Sequence, residues 1–171
     1  MPIQTIGTTL NIGYPGSFSR NADCIIATRV IKTTDTAGPA FGDPVILNPD
    51  NTYSKFGAAN TAAQFVGVAV REVRQATDYM NQGDVVYRPG EPADVLKRGD
   101  VCVQVNNGTP TAGGTVYIRI AANATIPAGE VGGFEAVADG ANTIALTNAV
   151  FSTGNIDSNN VAEITILTRK A

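Results

Sequence analysis

From Asp100 to Val105 the chain alternates without a break. Val101, Val103 and Val105 fall on one face of an extended backbone, and Asp100, Cys102 and Gln104 fall on the other. A period of two over such a length is the mark of a half-buried antiparallel strand. The stretch that leads into it, from Tyr87, reads as two short β-runs separated at Lys97-Arg98-Gly99. Nothing here has the form of a catalytic group. It reads as the wall of a β-barrel or β-sandwich.

The same texture runs through most of the chain. Strands are expected over Asp23–Lys32, Val45–Leu47, Phe65–Val73, Val85–Tyr87, Ala93–Leu96, Asp100–Val105, Thr115–Ile120, Phe134–Ala138, Thr143–Leu146, Ala149–Ser152 and Val161–Thr168. In FVGVAVREV, Phe65, Gly67, Ala69 and Arg71 are expected on one face, and Val66, Val68 and Val70 on the other. A helix over REVRQATDYM is conceivable, but Gly83 and the β-branched surroundings favour a hairpin arm. The segment NPDNTYSKFGAANTAAQ reads as a turn-rich excursion, and Asn107-Gly108 as a turn dipeptide. Eighteen Gly and nine Pro punctuate these runs, which favours many short elements and an all-β architecture of antiparallel strands. The expected core takes Val101, Val103, Val105, Val116, Ile118, Ile164 and Ile166.

Residues 1–20 differ. They are rich in Gly, Thr, Asn and Ser and read as an extended N-terminal arm, with residues 21–171 forming one β-rich domain. Apolar residues in a segment with no core of its own need another surface to bury against. Ile12, Tyr14, Pro15 and Phe18 are therefore candidate contact residues. Lys97 and Arg98 are a second candidate, as a basic patch for an acidic partner or simply as a solvated hairpin turn.

Several function classes are excluded by what the sequence lacks. It contains no histidine, which removes Ser-His-Asp and Cys-His catalysis and the usual zinc sites. There is no phosphate-binding P-loop and no calcium loop, and Gly129–Gly133 lacks the Lys and the following helix of an anion site. Carboxylates such as Glu72, Asp84, Glu91 and Asp94 sit in no aromatic-rich sugar cleft, and the chain has no Trp. No enzyme activity, cofactor or metal is expected. A net charge of -3 without a basic block argues against nucleic acid as a partner. No apolar run approaches a membrane span, and the first residues lack a signal-peptide pattern, so synthesis in a cytoplasm is expected. Cys24 and Cys102 read as free thiols in strands, although a disulfide stays open from sequence.

An ordered set of pieces resembles one known family. These are Gly13-Tyr14-Pro15-Gly16-Ser17, Phe41-Gly42-Asp43-Pro44-Val45, Phe65-Val66-Gly67-Val68-Ala69, and the run from Tyr87 through Gly90-Glu91 to Val95-Leu96-Lys97-Arg98-Gly99-Asp100-Val101. Their order and spacing over residues 13–105 resemble the cement (decoration) proteins of tailed-bacteriophage capsids. The resemblance implies a small, non-catalytic β-rich protein on the outer surface of a phage head, partnered by the major capsid protein. It also implies self-association, as a homotrimer by analogy with shell decoration or else as a dimer. The alternative is a non-enzymatic β-sandwich binding module, of the carbohydrate-recognition or tail-fibre kind, which the absence of Trp disfavours.

Overall fold

A computed structural model describes residues 11–71 and 85–167. Its described part is almost entirely β. The strands are β1 (Phe18–Val30), β2 (Pro44–Leu47), β3 (Tyr53–Lys55), β4 (Phe65–Ala69), β5 (Pro92–Gln104), β6 (Thr115–Arg119), β7 (Phe134–Glu135), β8 (Thr143–Ile156) and β9 (Val161–Ile166). All nine belong to one antiparallel sheet, ordered β3-β2-β4-β5-β9-β8-β6-β7, with β1 on the other edge of β5.

β5 organises the sheet because its two halves serve different neighbours. Val95 and Leu96 pair with Ala69 and Val68 of β4, whereas Gly99 to Gln104 pair with Ile166 to Val161 of β9. The change of partner divides the curled sheet into two lobes. In the first, the end of β1 meets β3 through the Ile31–Tyr53 bridge, with Lys32 N–H donating to Tyr53 O at 2.9 Å. That contact nearly closes β1, β5, β4, β2 and β3 into a ring. Ile31, Val45, Tyr53, Val66, Ala69, Tyr87, Ala93 and Val95 fill its interior.

The larger core lies between this ring and the second lobe. Phe65, Val68 and Leu96 meet Val101, Val103, Val116, Ile118, Phe134, Ile164 and Ile166 there, and Phe65 and Phe134 stack edge to face at 6.4 Å. Every residue of the expected core is buried.

The strand boundaries depart from expectation where the backbone bulges. Lys97-Arg98-Gly99 is no turn; it lies inside a continuous 13-residue β5. Gly99 has φ +118, and a Cβ there would sit 2.9 Å from Asp23 O and 3.0 Å from Cys24 Sγ. The extra residues of β1 between Arg20 and Ile25 cross over this point, so glycine absorbs both the dihedral and the approach. A second bulge between Val45 and Ile46 pairs them with Gly67 and Phe65. It flips the alternation of β4, so Phe65 shares a core with Val68 and Val70, while Val66 joins Ala69.

Other differences are of extent. The excursion after Leu47 contains β3, and Val85–Tyr87 contributes only the Ala40–Val86 bridge. Thr143–Leu146 and Ala149–Ser152 merge into β8. Phe134–Ala138 shortens to β7, and β1 begins at Phe18. Residues 72–84, which hold all of REVRQATDYM after Arg71 and include Glu72, Val73 and Asp84, lie outside the described residues, as do residues 1–10 and 168–171 with Thr168.

Candidate functional site

Three features meet on one side of the molecule: the docked part of the N-terminal segment, a cleft beside it, and a buried ion cluster behind the cleft wall.

Gly16 and Ser17 extend the β1–β5 pairing along the edge of β5, and Ile12 and Gly13 reach over the Cys102 side chain. Gly16 N–H donates to Cys102 O at 2.8 Å, Cys102 N–H to Ser17 O at 2.9 Å, and Arg71 N–H to Gly16 O at 2.9 Å. Ile12 N–H donates to Asp157 Oδ2 at 3.2 Å, next to the β8–β9 turn. Gly16, at φ +79, packs with Pro15 against Phe41 and Gly42, where added Cβ atoms would approach to 2.7–2.8 Å. Ile12 and Gly13 lie over Cys102 on the polar face of β5, whereas Gln104 farther along that face stays exposed. Cys102 becomes inaccessible, and Glu163 accepts from Ser19 Oγ at 2.7 Å. Burial pushes the Cys102 thiol pKa up, against the opposing pull of the Ser17 hydroxyl. No disulfide joins Cys24 and Cys102.

The cleft opens where the two ends of the curled sheet approach each other. It holds about 310 Å³ and is lined by Pro15, Phe41 and Phe134 together with Lys55, Arg71 and Glu130. Lys55 pairs with Asp43 at 2.7 Å, and the Arg71 guanidinium lies 5.9 Å from the Phe41 ring centroid. The Gly129–Gly133 loop forms the far wall. Gly132, at φ +83, passes so close to β3 that a Cβ would stand 2.4 Å from Phe56 O. This glycine-rich run is therefore a turn that seats one sheet end against the other.

Behind that wall lies Arg119, fully buried. Its Nε donates to Glu135 Oε1, its Nη2 to Glu135 Oε2 at 3.0 Å and its Nη1 to Asp139 Oδ2 at 2.8 Å and Ala121 O at 3.1 Å. Asn123 Nδ2 donates to both Asp139 oxygens, at 3.1 and 2.9 Å. Asn123 and Arg119 hold the Asp139 carboxyl below the usual carboxylate range. The Glu135 contacts in turn raise the Arg119 pKa. A Cβ on Gly129 would lie 2.3 Å from Arg119 Nε, so the loop closes directly over the guanidinium. The cluster clamps β6, β7 and the loop together.

The sequence-predicted contact residues separate in the structure. Tyr14 is 72% exposed and directly precedes Pro15 of the cleft lining. Ile12, Pro15 and Phe18 are half-buried against their own domain, and Phe18 packs on the larger core. Lys97 is only 7% exposed, because β5 continues through it instead of turning; the solvated-turn reading of this pair is corrected. Arg98 faces solvent and pairs with Asp23 at 2.7 Å. Sequence reasoning missed the Arg119 cluster. Its one signal was an Arg in the alternating run TVYIRI, on the face opposite Val116 and Ile118.

Among the described residues no group of His, Cys, Asp and Glu side chains could hold a metal ion, and no helix is long and apolar enough to cross a membrane. A profile of the XM1 gp53 minor capsid protein family matches residues 3–166. A solved chain from the capsid of Myoviridae phage XM1 shares the fold at a TM-score of 0.71 and 16% identity, with 99% of this chain and 100% of that chain covered. None of the curated proteins matches. The chain belongs to the XM1 gp53 minor capsid protein family, and its role is structural and capsid-associated, in the phage virion.

Proposed function

We propose that the protein is a non-enzymatic cement protein. It binds the outer surface of the phage head and stabilises contacts between major capsid subunits. The observation that carries this reading is the paired character of one face. A sheet locked by bulges and a buried ion clamp presents an exposed aromatic, Tyr14, on a segment fastened by backbone hydrogen bonds. Such a surface offers rigid contact area with little ordering cost. Anything that binds the assembled shell and not free subunits stabilises the shell by mass action. Many modest contacts repeated over a lattice then act together.

We assign the arm's contact with a neighbouring subunit to residues 1–10, since Gly16 and Ser17 are bonded to β5 and Ile12 to Asp157. Ten extended residues span at most about 33–36 Å. The test is co-sedimentation of purified protein with expanded heads that lack it. Saturable binding by the full chain is expected, weakened by Tyr14→Ala and by removal of residues 1–10. Absence of saturable binding overturns the reading.

A further inference from the structure

We propose that Asn107 is a self-modification site: the Gly108 backbone nitrogen attacks its side-chain amide, which ends as a carboxylate, and the new charge loosens the buried ion clamp beside it. The reaction needs no partner and is independent of the shell.

Three observations point there. Asn107-Gly108 is the one Asn-Gly pair of the chain, and the turn demands its glycine. Gly108 has φ +85, and a Cβ there would stand 3.0 Å from Val137. With no Cβ on the following residue, nothing shields its backbone nitrogen from the Asn107 carboxamide. The second observation is that this nitrogen is available. Gly108 is exposed, and among the described residues its N–H donates to no acceptor. The third is what the amide faces. Asn107 Nδ2 donates to Glu135 Oε2 at 3.4 Å, while Asn107 O accepts from Ala136 N–H at 2.8 Å. The side chain is therefore aimed at a buried carboxylate of the Arg119 cluster.

The chemistry is closed by water alone. Gly108 N gives its proton to water and forms a bond to Asn107 Cγ. The Cγ–Nδ2 bond breaks, and the nitrogen leaves as ammonia. Water then opens the five-membered succinimide at either carbonyl and yields aspartate or isoaspartate. One water is consumed for each ammonia released. Either product replaces a donor by a carboxylate facing Glu135, so one guanidinium must then balance three carboxylates. Asp139-Gly140, on the other side of Arg119, is protected. Arg119, Asn123 and Asn142 all donate to the Asp139 carboxylate and keep it ionised, which makes it a poor electrophile.

The test holds full-length protein at neutral pH, well below its melting temperature, and follows it by peptide mapping with mass spectrometry. Urea-unfolded chain in parallel shows when the bare Asn-Gly pair has converted. The folded protein should gain the mass of an amide-to-acid exchange at Asn107, as a mixture of aspartate and isoaspartate. A folded chain that retains the Asn107 amide after the unfolded chain has converted, or that isomerises first at Asp139, overturns the proposal. The effect on the clamp is read on Asn107→Asp and Asn107→Ser proteins. Both lose the amide, and only the first adds a charge. The first should melt lower than the second, and an equal or higher melting temperature overturns the loosening.

Discussion

The two lobes of the sheet are held by different physics. The ring of β1–β5 is filled by apolar and aromatic side chains, with Tyr53 and Tyr87 fully buried and Tyr87 Oη donating to Val70 O at 2.6 Å. The β6–β7 end of the second lobe is held by a buried guanidinium between two carboxylates. Apolar packing is non-directional and tolerates small adjustments. A buried ion cluster is directional, and it fixes one geometry at the risk of a large penalty when one member is lost. The directional device sits where the Gly129–Gly133 loop must be placed against β3, at the cleft wall.

The largest effect should come from the core shared by both lobes. Val103→Asp buries an unpaired charge and should cost several kcal/mol, on the order of the desolvation penalty for such a group. The measurement is urea unfolding, and a midpoint near wild type would refute the burial of the β5 face.

Next come paired substitutions that separate the lobes. Arg119→Ala strands Glu135 without its partner and should cost about 3–5 kcal/mol. Replacing Arg119 by Met together with Glu135 by Leu should recover most of that loss, since removing both charges is often neutral. Tyr53→Ala in the ring should cost about 3–5 kcal/mol through a cavity, and no charge-removing second change would rescue it. If Arg119→Ala alone were as mild as a surface change, the two lobes would not differ in the way described.

A smaller and pH-dependent effect belongs to Asp139. Its folded-state pKa lies below the unfolded value, so its contribution is present above the unfolded pKa and fades as pH falls through the folded one. Asp139→Asn should therefore lower stability at neutral pH and flatten the acid limb of a melting-temperature profile. A parallel downward shift at every pH would contradict this. Tyr14→Ala should change stability least, since the ring is mostly in water, by less than about 0.5 kcal/mol. A large drop in melting temperature would mean the aromatic serves the fold and not a partner.

The difference between the lobes also explains what the sequence revealed. Alternating Val and Ile report a strand face through a local period, so Val101, Val103, Val116 and Ile164 were legible as core. The family resemblance rested on the same stretches, and it agrees with the capsid family that the chain matches. Arg119 was illegible because its burial is made by the loop that follows it and by Glu135 and Asp139, none of which a local pattern connects. Lys97 was misread because Gly99 signals a turn locally and becomes a bulge only when β1 crosses it. The three residues of β3 were hidden in a segment whose Asn48, Pro49, Asp50 and Asn51 all favour turns. For the arm, composition alone gave no sign that residues 11–17 would bond to β5, which depends on Cys102 offering both its N–H and its C=O.

The proposed shell-stabilising role is tested most directly by the thermal disruption of heads that lack this protein, followed by light scattering and DNA release as purified protein is titrated in. Saturable binding should accompany a rise in the disruption temperature that levels off when the sites are full, with the protein removable by outside protease. Heads that bind the protein and yet break at an unchanged temperature would contradict the account.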